Sequence, residues 1–365
     1  MKRKKRVLVA PLDWGLGHTT RCIPIIHELL KRDVDVLIGA DNHPRDLLKR
    51  EFPQLEHIQF PGHIVRYGEH GNLIWEIIKQ LPAMVYGFRR EHQLLESLIA
   101  HHSIDGVISD NRFGAFSKKV PSIFIIHQLN IIIPTYLLWA KRIVDFSNRQ
   151  FVQQYTECWI PDFSGEKSLA GILSSPKVFP TNAFYIGTLS RLKKIDSVKK
   201  EYDILVILSG PEPQRGLFEQ ILIEQLRQTQ YKVLIVRGIP NEDTTIEITR
   251  TISMVSVLTT DELSLAIAQS HLIISRSGHS TIMDLSFVGA KALFVPTPQQ
   301  TEHEYLADLL KKKNICYSEN QNEFNLERAV TINKKFTGFN EYRNDYSILR
   351  ERIDYFLRII DTSTL

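Results

Sequence analysis

Short apolar runs alternate with amphipathic helical patterns along this chain, and the alternation runs through twice. In the first pass, Arg6–Leu12 reads as a strand, followed by a Gly-rich turn and a helix over His18–Lys31. Val34–Ala40 is the next strand, Pro44–Glu51 a short helix, Leu55–Phe60 a strand and Leu73–Ala100 a long amphipathic region. Ile104–Ser109 and Ser122–Gln128 are strands, Pro134–Gln154 is helical, and Cys158-Trp-Ile-Pro161 closes the series. Continuous apolar strands between helices are buried on both faces, which is the pattern of a parallel, doubly wound sheet. A polar stretch, Arg191–Glu201, interrupts the pattern as a linker would. The alternation then restarts with strands at Asp203–Ser209, Lys232–Arg237, Val255–Thr259, Leu272–Ser275 and Ala292–Pro296, and with helices at Pro213–Arg227 and Asp261–Gln269. The chain therefore reads as α/β, with domains at 1–185 and 203–340 joined by a linker at 186–202 and followed by a helical segment at 341–365.

A length of 365 residues suits two domains, each with its own core. Cys22, Cys158 and Cys316 lie far apart and form no CxxC or Cys/His set, which argues against a disulfide scaffold or zinc module and for a reducing compartment. The net charge of +4 is local, because Lys2, Arg3, Lys4, Lys5 and Arg6 open the chain. That cluster reads as a nucleic-acid arm, a contact with an anionic membrane surface or a solvated start. Elsewhere the charges are mixed in sign, which argues against a nucleic-acid protein. Val120–Ala140 has no charged residue, but its prolines and its His127, Gln128 and Asn130 fit a buried strand and polar loop better than a membrane span.

In doubly wound sheets, ligands bind beyond the carboxyl ends of the strands, at helix N-termini. Three loops lie there. Asp13-Trp-Gly-Leu-Gly-His-Thr-Thr20 follows the first strand; Gly15 and Gly17 allow a tight turn, and His18 is an imidazole suited to base chemistry or phosphate contact. The motif lacks the third small residue of a full dinucleotide fingerprint, so an ordinary strand–helix turn is the competing reading. The second loop, Ser275-Arg-Ser-Gly-His-Ser-Thr-Ile-Met-Asp284, leads into a helix starting near Ser280. Its free N–H groups, Gly278 and the hydroxyls of Ser277, Ser280 and Thr281 suit a diphosphate, and Arg276 offers a bidentate cation. Thr281 and Asp284 also have capping-box spacing, so both can simply finish the helix. The third loop, Pro296-Thr-Pro-Gln-Gln-Thr-Glu-His-Glu-Tyr305, is rich in side chains that pair with sugar hydroxyls, although Glu302 and Glu304 equally suit a first helical turn.

These loops, with Gly289-Ala-Lys-Ala-Leu-Phe-Val-Pro296, resemble the C-terminal domain of the glycosyltransferases related to MurG, which adds N-acetylglucosamine to a lipid-linked peptidoglycan precursor. Gly15-Leu-Gly-His18 followed by Pro24 is similar to that family's N-terminal Gly-rich loop, and Val120–Asn130 to its strand ending in a His-x-x-Asn acceptor segment. The resemblance implies a GT-B fold, in which two Rossmann-like domains face across a cleft and the last helix returns to the first domain. It implies that Ser209-Gly210 and the backbone after Arg276, with Ser277, Gly278, His279, Ser280 and Thr281, approach the donor diphosphate. Asp284 stands where the family holds the ribose with Glu, and Gln299, Gln300, Glu302 and His303 stand at the donor sugar. His18 would activate the acceptor hydroxyl, while Asp110, His127, Gln128 and Asn130 would line the acceptor side. Departures at Ser209-Gly-Pro-Glu-Pro213, His303-Glu304 and Asp284 point to a relative of MurG with a different donor or acceptor.

The expected activity is transfer of a sugar, N-acetylhexosamine among the candidates, from a UDP-sugar to a hydroxyl acceptor, lipid-linked in the family, by inverting displacement. Helix N-termini can carry the departing charge, and the single DxD, Asp33-Val-Asp35, precedes its strand at the wrong end for a ligand. No metal and no cofactor beyond the UDP-sugar co-substrate is expected. The alternatives are a nucleotide-sugar hydrolase on the same fold and a non-catalytic nucleotide-sugar binder. The expected setting is cytoplasmic, as a monomer or weak dimer, with peripheral contact at the inner face of the cytoplasmic membrane.

Overall fold

The computed structural model describes residues 3–13, 16–62, 73–133, 139–239, 244–342 and 346–363. The chain divides into two compact units, the first formed by Met1–Ser164, Ile172–Leu189 and Tyr346–Leu365, the second by Gly165–Gly171 and Ser190–Asp345. The boundary near 190 is packed chain, since Leu189 and Leu192 are both buried.

In the first unit the chain runs β1 (Arg6–Pro11), α1 (Leu16–Leu30), β2 (Asp35–Ala40), α2 (Asn42–Glu51), β3 (Glu56–Gln59), α3 (Leu73–His102), β4 (Gly106–Asp110), β5 (Ser122–Ile125), α4 (Lys141–Val152), β6 (Glu157–Ile160) and β7 (Ala183–Tyr185). The described strands form one seven-stranded sheet in the order β3-β2-β1-β4-β5-β6-β7, and every pairing is parallel. Helices on both faces explain why β1, β4, β5 and β6 are buried almost without interruption. Strand order reverses between β1 and β4, so the loops after these two strands diverge to opposite faces and open a crevice at their carboxyl ends.

The second unit repeats the plan with β8 (Tyr202–Ile207), α5 (Gln214–Leu226), β9 (Val233–Val236), β10 (Thr245–Glu247), β11 (Ile252–Val255), α6 (Thr260–Ala268), β12 (Ser270–Ser275), α7 (His279–Val288), β13 (Ala292–Phe294), α8 (Thr301–Lys312), β14 (Tyr317–Ser318) and α9 (Leu326–Asn333). Its sheet order is β10-β11-β9-β8-β12-β13-β14, parallel except for the β10–β11 edge. Here the reversal lies between β8 and β12. The last helix, α10 (Ser347–Ser363), belongs to the first unit. It buries Leu349, Ile353, Phe356 and Ile360, and Arg32, in the turn after α1, donates to its Asp354 at 2.6 Å.

Several sequence expectations change. The expected strand at Val255–Thr259 lies earlier, at β11, because Thr259 is the N-cap of α6 and forms a complete capping box with Glu262. The first helix starts at Leu16 rather than His18, which puts Gly17 inside its first turn. Helix α4 begins at Lys141; residues 134–138 of the longer expected helix lie outside the described residues. The opening cations are individually matched: Arg3 with Asp105, Lys4 with Asp33, Lys5 with Asp361 and Arg6 with Asp35, while Lys2 lies outside the described residues. Asp33 and Asp35 are thus turn and strand-start residues that pair with cations. On α3, Tyr86, Arg89 and Arg90 are exposed while Phe88 stacks among Phe113 and Phe151. No helix among the described residues is long and apolar enough to cross a membrane.

Candidate active site

The switch point of the first unit holds a cluster of buried polar side chains. His18 sits in the first turn of α1, directly after β1, and Asp110 is the last residue of β4. His18 Nδ1 lies 2.7 Å from Asp110 Oδ1. Asp110 is fully buried, and it remains ionised because Arg21 grips it from below, Nε to Oδ2 at 3.0 Å and Nη2 to Oδ1 at 2.6 Å. Arg21 Nη1 reaches on to His127 Nδ1 at 3.0 Å, so the segment after β5 joins the same cluster. Burial outweighs every other influence on His18 and lowers its pKa; Asp110 acts against this and Arg21 adds to it. Burial would raise the Asp110 carboxyl, but Arg21 and His18 together hold it below the ordinary aspartate value. The result is a neutral imidazole oriented by a carboxylate, the arrangement a general base requires.

Sequence reasoning missed Arg21. Its signal was the i, i+3 spacing from His18, which places both on one face of α1. A second buried pair, Arg112 with Glu91 at 2.7 Å, braces the crevice floor, since Arg112 also donates to the carbonyls of Pro11 and Phe60. Among the other expected residues, Gly15 lies outside the described residues. Gln128 is half-buried beside His127. Asn130 is not part of the His18 cluster: it donates to the Ile172 carbonyl, accepts from Lys141 and lines a groove of about 740 Å³ with Arg142, Phe146 and Lys177.

The switch point of the second unit is built differently. The loops after β8, β12 and β13 converge there. Gly210 takes φ +102°, a conformation that disfavours any side chain, and a Cβ on it would face Thr297 Oγ1 at 3.7 Å. Thr297 Oγ1 lies 3.0 Å from His303 Nδ1, and Ser277 Oγ donates to the His303 carbonyl at 2.7 Å. Gly278 is the N-cap of α7, and a Cβ there would stand 3.2 Å from His303 Nε2. Glycine at the cap makes no side-chain hydrogen bond to the first turn of α7, the helix end that carries partial positive charge. Burial lowers the His303 pKa, keeping that ring neutral.

The comparisons with known proteins fit this geometry. Residues 204–340 match the glycosyltransferase family 28 C-terminal domain. An uncharacterized glycosyltransferase of Methanosarcina acetivorans is 26% identical over 84% of this chain and 81% of its own length. The UDP-N-acetylglucosamine--N-acetylmuramyl-(pentapeptide) pyrophosphoryl-undecaprenol N-acetylglucosamine transferase of Rickettsia massiliae is 23% identical over 90% of this chain and 89% of its own. The crystal structure of Acinetobacter baumannii MurG superposes with a TM-score of 0.58 at 14% identity, covering 97% of this chain and 99% of that one. This chain is a glycosyltransferase of the GT-B fold, similar to MurG over most of its length.

Within the glycosyltransferase, several donor-loop expectations need correction. Arg276 is not positioned as a diphosphate clamp. Its guanidinium lies over the Phe218 ring at 4.3 Å and donates to the carbonyls of Val295, Pro296 and Gln214 and to Gln321 Oε1. Burial brings its pKa down to about 10, so it remains a cation that holds three loops together from inside. Ser277 is likewise spent on the His303 carbonyl and fully buried, and His279 is buried too. The capping-box reading of Thr281 and Asp284 fails, because α7 starts at His279 and both residues lie beyond its cap. Asp284 instead accepts a hydrogen bond from Ser190 Oγ at 2.5 Å, and burial raises its pKa to about 6. Gln299 holds a left-handed backbone with φ +66°, and Glu304 folds back to accept from its N–H at 3.0 Å. Gln300 is the N-cap of α8, with Glu302 in its first turn. No group of three or more His, Cys, Asp or Glu that could hold a metal occurs among the described residues, and all three cysteines are buried and free.

Proposed function

We propose that this glycosyltransferase moves a sugar from a UDP-sugar to a hydroxyl acceptor by metal-independent, inverting displacement, with the donor held by the second unit and the acceptor by the first. The observation that carries this reading is the pairing of half-buried His18 with buried Asp110 at the first switch point. His18 Nε2 takes the proton from the acceptor hydroxyl as that oxygen attacks the anomeric carbon; the glycosidic C–O bond to UDP breaks on the opposite face. Asp110 stabilises the imidazolium as it forms. The diphosphate leaves with its charge facing the N-terminal end of the α7 dipole and the loop at Ser209-Gly210. Asp284 is assigned to the ribose, Gln299, Gln300, Glu302 and His303 to the donor sugar, and His127 and Gln128 to the acceptor. The resemblance to MurG supports a lipid-linked acceptor and an N-acetylhexosamine donor.

Isothermal titration of the full chain with UDP, UDP-N-acetylglucosamine, UDP-glucose and GDP tests the donor assignment. Micromolar binding of UDP compounds with much weaker GDP binding is expected. No heat with any UDP compound at millimolar concentration would overturn it.

A further inference from the structure

We propose that Arg21 is a positioning residue that sets two histidines in opposite tautomers, with the proton on Nδ1 of His18 and on Nε2 of His127. The inference rests on the proposed role of His18 as base. An arginine only donates. Since Arg21 Nη1 lies 3.0 Å from His127 Nδ1, that nitrogen must accept, which leaves the His127 proton on Nε2. His18 is under the opposite constraint. Its Nδ1 is 2.7 Å from Asp110 Oδ1, an acceptor, and 2.6 Å from Arg21 Nη2, a donor. Both cannot bond to the same nitrogen. Arg21 Nη2 has the same Asp110 oxygen at 2.6 Å as its charged acceptor, so it does not need the ring nitrogen. An unprotonated Nδ1 would also set its lone pair against a full negative charge at hydrogen-bond distance. The carboxylate therefore wins, Nδ1 carries the proton, and Nε2 presents the lone pair.

One guanidinium thus does two things. It leaves His18 Nε2 a proton acceptor and places the His127 proton on Nε2, so the two rings carry opposite tautomers. The guanidinium also sets the charge balance. The charged and titratable groups around His18 are Arg21 on its own helix, Asp110 at the end of β4 and His127 after β5. Cys22, the next residue of α1, is a buried thiol pushed well above its ordinary range and stays neutral. With Arg21 present, the carboxylate is shared. Without it, Asp110 faces His18 alone, and His18 holds its proton to higher pH.

Long-range nitrogen–proton NMR of the ¹⁵N-histidine-labelled full chain reads tautomers directly and needs no substrate; His18→Gln and His127→Gln assign the signals. In the native protein near pH 7, an unprotonated Nδ1 on His127 and an unprotonated Nε2 on His18 are expected. Either ring in the other tautomer overturns the proposal. Arg21→Met should move the acidic limb of kcat/KM upward by about one pH unit or more and release the His127 tautomer. Arg21→Lys keeps the charge, so the limb should return close to its native place while the His127 tautomers mix, because an ammonium lacks the fixed fork. An unmoved limb and unchanged tautomers in Arg21→Met would sink the idea. If that variant fails to fold, the native spectrum and Arg21→Lys still decide. Absence of nucleotide binding would defeat the donor assignment while leaving these spectra as they are.

Discussion

The two switch points solve the same topological problem with different materials. In the first unit the crevice between β1 and β4 is lined by side chains, His18, Asp110, Arg21 and His127, linked by hydrogen bonds of 2.6–3.0 Å. In the second unit the crevice between β8 and β12 is framed by loop and helix-start backbone, and Arg276 is turned inward onto carbonyls. The difference matches the chemistry proposed for each. Moving a proton needs a titratable group with a tuned pKa, which only a side chain supplies. Holding a diphosphate needs many weak donors at fixed positions, which helix starts and glycine turns supply without titrating.

The contrast is broken most directly at its centre. His18→Ala should lower kcat by about a thousandfold, the usual worth of a positioned general base, while the UDP dissociation constant measured by titration stays within about twofold. A parallel loss of UDP affinity would mean that the two units do not divide the work as proposed. Arg276→Met tests the other side. If the guanidinium braces loops, its loss leaves buried carbonyls unpaired and should cost about 2–4 kcal/mol of stability, read as a lowered midpoint in urea. A phosphate clamp would behave in the opposite way, losing UDP affinity at unchanged midpoint.

Why Arg276 misleads on the page, and Arg21 escapes notice, has one physical cause. Sequence reports which residue stands next to which, and burial decides what a charge faces. Arg276 adjoins a small-residue loop at a strand end, which is where a phosphate ligand would be sought, yet Phe218 and Gln321 draw it into the core. Arg21 lies in an ordinary helical stretch, and only the arrival of Asp110 and His127 from strands far along the chain gives it a role. The doubly wound plan was legible because long apolar strands between helices admit few other folds. The short edge strands β7, β10 and β14 were not, since two or three residues carry no period. At β11 the apolar stretch continues past the strand, and the capping pair Thr259/Glu262 was the better boundary signal.

The smallest expected effect concerns Asp284, a carboxylate on α7 whose pKa is pushed toward neutrality. Asp284 is raised from 3.8 to about 6, chiefly by burial, against the hydrogen bond from Ser190 and the charge of Arg191. A raised folded-state pKa favours folding in the protonated form. Its contribution is complete below the unfolded aspartate value and is lost as pH rises through about 6. At pH 7 the fold carries an ionised, partly buried carboxylate at a cost. Asp284→Asn keeps an oxygen for Ser190 and removes that charge, so it should stabilise the protein by up to about 3 kcal/mol at pH 7 and by very little at pH 3. Urea midpoints at the two pH values read the difference. Equal gains at both would place the benefit in packing instead of charge. If Asp284 also holds the ribose, the same variant should weaken UDP binding, so that this residue trades stability for ligand while Arg276 supplies stability alone. That would make the second unit's site less purely a backbone device than its loops suggest, and would place a tunable group on α7 in addition to the His303 ring on α8.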